Sequence, residues 1–233
     1  MDVIQSFEET DVATAFRATT LTIRVDQTRS LSELTEQLVA ATARLAAETH
    51  LTNTLFVLED PPQAEPAGPP ATSVEEVRRW ERAVRRVEQS NALSVVVMQS
   101  ICSGPGSDIL LAADYRIGTP EARLMFTTDD GHLWPGMALY RLVRQVGPAR
   151  VRRLMVRGGA FSANEALELG VLDELTPEPE TVAERVIHGT SRLSRSALAV
   201  CRQLLHEAVS VEFDDALGVH LAACDRELRR RND

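Results

Sequence analysis

Apolar positions along this chain switch between short dense runs and stripes spaced three and four residues apart, and the switches fall at proline, glycine or Ser-x-x-Glu boxes. Leu21 to Val25 alternates apolar and polar residues, the pattern of a half-buried first strand, and Asp26-Gln27-Thr28 supplies a turn. Ser30 to Glu33 is a capping box, after which Leu31, Leu34, Leu38, Ala41 and Leu45 mark one face of a helix. Leu55 to Leu58 predicts the next buried strand. A second box, Ser73 to Glu76, opens a helix to about Gln89 whose apolar face runs through Val74, Val77, Trp80 or Glu81, Val84 and Val87.

The central stretch is Val95 to Ile117. Val95 to Met98 is an unbroken apolar run, which suits a strand buried on both faces. Ser100 to Ser107 holds two glycines, a proline and three serines, and the apolar helical segment begins at Asp108. A strand, a tight glycine loop and a helix offer free N–H groups and a helix dipole to an anion or developing oxyanion. Gly104-Pro105-Gly106 fits no dinucleotide or phosphate-loop pattern, so by itself the segment also reads as a plain buried turn.

Further strands are expected at Asp114 to Ile117 and Glu121 to Phe126, and helices at Met137 to Val146 and Pro148 to Val156. Ser162 to Glu165 caps a short helix ending at Gly170, before an extended Val171 to Leu175. Two proline-bearing segments interrupt the pattern. Residues 61–70 are expected to form an exposed loop that either rims a site or simply connects; Pro177 and Pro179 mark the boundary to roughly two long helices, near 192–208 and 213–230. The organisation is thus an arm at 1–18, an α/β core at 19–178 and a helical C-terminal region at 179–233.

Composition narrows the chemistry. All 25 basic residues are arginine, so Schiff-base, pyridoxal-phosphate and Walker-lysine chemistry are excluded. A net charge of −9 argues against nucleic-acid or membrane-surface partners. Arg78, Arg79, Arg82, Arg85 and Arg86 share one helix face and could meet phosphates or an acidic partner. Their interleaving with Glu75, Glu76, Glu81 and Glu88 favours a solvated face. Three unpatterned cysteines, an acidic start and no span-length apolar stretch lead to an expected cytoplasmic location. His220 and Cys224 lie four apart, but Leu217, Leu221, Cys224 and Leu228 form a helical stripe, so Cys224 is expected in the core and no metal is expected. In the polar loop 127–136, Asp129 and Asp130 are candidates for acid or base work, with Asp130 favoured as turn chemistry.

Several segments together resemble the crotonase, or enoyl-CoA hydratase/isomerase, family: VVVMQSICSGPGSDILLAADYRIGTPEARLMF and WPGMALYRLVRQVGPARVRRLMVRGGAFSANEALELGVLDELT, with FSANEALELGVLDEL the most specific part. The resemblance covers about residues 20–230. It implies an α/β crotonase-like ββα spiral core with a helical C-terminal region, assembly as a trimer or hexamer, an acyl-CoA thioester as substrate and no resident cofactor. It also implies two backbone N–H donors at a thioester oxyanion. The family's triple glycine corresponds to Gly104-Pro105-Gly106, which puts a residue without an N–H where the middle donor stands, and leaves Gly104 and Gly106 as candidate binding positions. The other donor loop is reduced to Glu65 to Pro69, with Ala67 or Gly68 as its candidate. The first family glutamate corresponds to Asp108 and the second falls near Thr128 or Asp129, so Asp108 and Asp129 are the candidate catalytic residues.

A narrower resemblance is carried by RRWERAVRRVE, ADYRIGTPEARL, WPGMALYRL and DALGVHLAACDRELRR, which look like the DpgB-type accessory proteins of 3,5-dihydroxyphenylacetyl-CoA biosynthesis. It implies an auxiliary crotonase homologue that assists dehydration and aromatisation of a polyketidyl-CoA, with a type III polyketide synthase and sister crotonases as partners, in dihydroxyphenylglycine and antibiotic formation. A non-catalytic scaffold for those partners and an ordinary enoyl-CoA hydratase are the alternatives.

Overall fold

The computed structural model describes residues 16, 18–59, 73–126, 128–129 and 132–232. The first half holds β1 (Thr20–Asp26), α1 (Leu31–Ala47), β2 (Asn53–Glu59), α2 (Val74–Glu88), β3 (Leu93–Met98), β4 (Ile101–Cys102), α3 (Gly104–Ala112) and β5 (Tyr115–Gly118). The second holds β6 (Arg123–Met125), β7 (Thr128–Asp129), β8 (His132–Leu133), α4 (Met137–Val146), α5 (Pro148–Val156), β9 (Ala160–Ser162), α6 (Ala163–Glu168), β10 (Glu174–Leu175), α7 (Pro179–Gly189), α8 (Arg195–Ala208) and α9 (Phe213–Asn232).

The main sheet is parallel, in the order β1-β2-β3-β5-β10. Its unbroken apolar strands are buried on both faces because helices cover both. Phe56, Leu58, Val96 and Met98 pack toward Leu34 and Leu38 of α1 and Trp80 and Val84 of α2. Leu55, Val57, Val95, Val97 and Ile117 pack toward Val182, Ala183 and Ile187 of α7. Val25, Leu58, Met98, Gly118 and Leu175 form one row across the sheet, so the strands end together. The connections leaving β1, β2 and β3 therefore gather at one end, where open parallel sheets hold their ligands. A second sheet, β4-β6-β9, stands beyond that end.

Both capping boxes preceding α1 and α2 form, as does the box before α6. Three local expectations need correction. The helix expected from Asp108 starts at Gly104, because Pro105 has the fixed φ of a first helical turn and needs no N–H there, and Ile101–Cys102 forms a strand within the presumed loop. The C-terminal region has three helices; α7, started by Pro179, fills the far face of the sheet. Cys224 is exposed, and so are Leu217, Leu221 and Leu228, so the stripe on α9 is apolar but uncovered in a single chain. Among the described residues no helix is long and apolar enough to cross a membrane.

Candidate active site

The site is built where α2, α3 and α4 meet. Helix α3 begins at the end of the central strand and carries Asp108 in its first two turns, buried. Asp108 Oδ2 accepts the Trp80 Nε1–H at 2.9 Å, and Oδ1 accepts from Arg141 Nη1 at 3.0 Å. The backbone N–H of Ala138, at the start of α4, adds a weaker pull that favours the charged form of this carboxylate. Arg141 is itself buried and forms two more ion pairs, from Nη2 to Glu81 Oε2 at 2.9 Å and from Nε to Glu88 Oε1 at 2.6 Å. Arg85 closes the far side, 2.7 Å from Glu88 Oε2.

This corrects the view of α2 as carrying Glu81 and Glu88 on a solvated face. Both acids turn inward, seven residues apart on one side of the helix, because a cation from α4 receives them; Arg78, Arg79, Arg82, Arg85 and Arg86 remain exposed. At the N-terminal end the expected apolar stripe also fails, since Val74 is exposed. Trp80 is buried as part of that stripe, and its indole N–H makes it a polar anchor too.

The electrostatics follow from three carboxylates around one buried guanidinium. Burial, and then the neighbouring Glu81 charge, push the Asp108 carboxyl up to about 7 against the pull of Arg141 and Trp80. Glu81 is also raised, chiefly by burial. Burial acts on Glu88 as well, but Arg141 and Arg85 together overcome it and hold Glu88 below the ordinary glutamate value. The three carboxylates hold Arg141 protonated despite its burial. Burial raises the Cys102 thiol, beneath the loop, to about 12, so it is no nucleophile.

Asp108 opens onto a cavity of about 160 Å³. Apart from Asp108, Glu81 and Ser107 its wall is largely apolar, with Val77, Trp80, Met125, Phe126, Leu139 and Trp134 prominent. Gly104 and Pro105 lie on its rim. Gly104 has a φ of 48°, a left-handed value that suits glycine. The Gly106 N–H donates to Ser103 O at 3.0 Å, and Gly106 is not part of the cavity wall. An added Cβ at Gly106 would run into the Gln27 amide. Gln27 braces the loop, donating to Glu59 O at 2.9 Å and Ile101 O at 2.8 Å while its Oε1 accepts the Ser103 N–H at 3.1 Å.

Of the other candidates, Ala67 and Gly68 lie outside the described residues. Asp129 pairs with His132 across the β7–β8 hairpin, and its side chain lies outside the described residues. Sequence reasoning missed Arg141, Glu81, Glu88 and Gln27. For the two glutamates a signal was present, an acidic i, i+7 pair bordering the apolar stripe that holds Trp80 and Val84. Arg141 and Gln27 carry none, because their partners lie far along the chain.

Solved enoyl-CoA hydratase structures share this fold. One from Mycobacterium smegmatis superposes with a TM-score of 0.75 at 17% identity, covering 88% of this chain and 86% of that one. An enoyl-CoA hydratase/isomerase from Marinobacter aquaeolei gives 0.74 at 16% identity, covering 90% and 88%. Residues 70–229 match the family model for enoyl-CoA hydratase/isomerase. A protein of Amycolatopsis orientalis named enoyl-CoA-hydratase is 37% identical over 212 residues, 90% of this chain and 96% of its own. The chain belongs to the enoyl-CoA hydratase/isomerase family.

Proposed function

We propose that this chain binds an acyl-CoA thioester and works as an auxiliary crotonase homologue, assisting dehydration and aromatisation of a polyketidyl-CoA to 3,5-dihydroxyphenylacetyl-CoA beside a type III polyketide synthase. The observation that carries this reading is Asp108, a buried carboxyl poised at about 7 on the wall of a largely apolar cavity. A group so poised takes a proton and returns one near neutral pH. In this role Asp108 removes a proton from the ring carbon next to a carbonyl and delivers one to the departing hydroxyl, so that water leaves. A cavity of about 160 Å³ matches the size class that holds one benzene ring, roughly 150 Å³.

The helix start fits the same reading. Pro105 has no N–H, and that of Gly106 is engaged by Ser103, so oxyanion stabilisation is weak on this side. Loss of water driven by aromatisation depends less on such donors than hydration of a simple enoyl thioester. The partners in this reading are the synthase and sister crotonases, in the cytoplasm. The uncovered apolar residues of α8 and α9, with Leu205, Phe213, Leu221 and Leu228 all exposed, are the contact through which the chain assembles as a trimer or hexamer.

The engaged Gly106 N–H also favours a scaffold that presents the intermediate without reacting with it. The name carried by the Amycolatopsis relative favours an ordinary hydratase. One assay separates all three: aromatic product from malonyl-CoA with purified synthase, alone, with this chain, and with its Asp108→Asn and Asp129→Asn variants. We expect more aromatic product with the wild type and a loss of that gain of roughly 10²-fold or more in Asp108→Asn. A gain unchanged in both variants would establish the scaffold, and no gain at all would sink the auxiliary role.

A further inference from the structure

The Arg141 cluster is a wall between two spaces. On one side is the cavity that Asp108 borders; on the other is a larger groove of about 700 Å³. Asp108 borders only the cavity, Glu88 and Arg141 border only the groove, and Glu81 borders both. Asp108 and Glu81 sit on neighbouring nitrogens of the same guanidinium, Nη1 and Nη2.

Glu81, Glu88 and Asp108 meet two guanidinium groups, Arg141 and Arg85, so full ionisation leaves one carboxylate without a counterion. A buried carboxylate in that position takes up a proton. Glu88 is excluded as its holder because both arginines contact it. The proton belongs to the Asp108–Glu81 pair.

We propose that Glu81 is a proton relay for Asp108: the pair holds one proton, and uptake at Asp108 from a ligand in the cavity is matched by release from Glu81 to water in the groove. The ligand's bond to hydrogen breaks and an Asp108 O–H forms. The Glu81 O–H breaks, and groove water takes that proton. When Asp108 donates, both steps reverse. The charge of the cluster is the same before and after, so the buried site never stores an extra charge, and a largely apolar cavity gains an outlet for protons. This rests on the reading of Asp108 as an acid–base group.

Asp108 faces Trp80 and Glu81 of α2, Arg141 and the Ala138 N–H of α4, and Cys102 of β4. Glu81 faces Arg141 and Glu88; the groove around it adds Arg78, Arg82 and Arg85 of α2, Tyr140 and Arg144 of α4, and His206 and Glu207 of α8. His206→Gln therefore serves as a control.

The molecule contains its own reporter. The Trp80 indole N–H is bonded to Asp108, the chain has two tryptophans, and a Trp134→Phe sample assigns the second signal. The ¹⁵N–¹H indole resonance of Trp80 is followed against pH in the intact wild-type protein, Glu81→Gln, Glu81→Asp and His206→Gln. Groups coupled this way shift one another by about one unit or more. We expect the midpoint to fall by at least that much in Glu81→Gln, and to be retained in Glu81→Asp and His206→Gln. In the synthase assay, the gain lost in Glu81→Gln returns on adding imidazole buffer, which a merely structural glutamate would not show. An indole midpoint unmoved in Glu81→Gln overturns the relay, as does a loss of gain that buffer does not restore. A coupled titration in a protein that enhances no reaction counts instead against the auxiliary function.

Discussion

Asp108 owes its properties to an imbalance in its surroundings, with burial and a second carboxylate on one side and a single shared arginine on the other. Its folded-state value, about 7, lies above the ordinary 3.8, so the native state binds its proton more tightly than the unfolded chain. The stabilisation from this group is complete below about pH 4, declines as pH rises to about 7, and is flat beyond. Each unit of separation is worth about 1.4 kcal/mol. Asparagine does not titrate. The melting temperature of Asp108→Asn minus that of the wild type should therefore become more positive from pH 4 to 7 and level off above 7. A difference that stays flat or falls across that interval would contradict the assigned environment. The carboxylate was legible in the sequence from its place after the glycine-proline run. Arg141 was not, since the partners it draws together lie 33, 53 and 60 residues away, beyond any local period.

At the scale of elements, helix α8 sends one buried residue, Arg202, into the core. Arg202 reaches Asp114 at 2.6 Å from Nε and also donates to the carbonyls of Glu88, Ser90 and Ala92. It thereby satisfies the C-terminal end of α2, the helix that positions Trp80, Glu81 and Glu88. Removing one partner of a buried pair costs about 3–5 kcal/mol. Arg202→Met should lower the urea midpoint accordingly and open α8 to limited proteolysis; a loss below about 1 kcal/mol with α8 still protected would show that apolar contacts hold it. Strands and helices with a clear period, such as α1 and β3, were legible because burial and local pattern agree there. The early start of α3 and the existence of α7 were not. Pro105 serves equally well in a loop and a first turn, and α7 owes its stability to a sheet face assembled from strands far earlier in the chain.

For the whole molecule, the family's fold is retained, and the proposed function turns on the helix start at Gly104 and Pro105. The cavity lies at the strand ends beside the helix carrying Asp108, Pro105 opens that helix without an N–H to offer, and the Gln27 brace fixes the loop around it. In the proposed role this chain has moved away from simple hydration toward help with an aromatising substrate. Crotonyl-CoA hydration, measured for the wild type beside Pro105→Gly, tests it most directly. We predict background rates for the wild type and a rise in Pro105→Gly toward the roughly 10²–10³-fold that one donor contributes. Wild-type turnover in the ordinary enzymic range of about 1–10³ s⁻¹ would contradict the claim and return the chain to the simple hydratases.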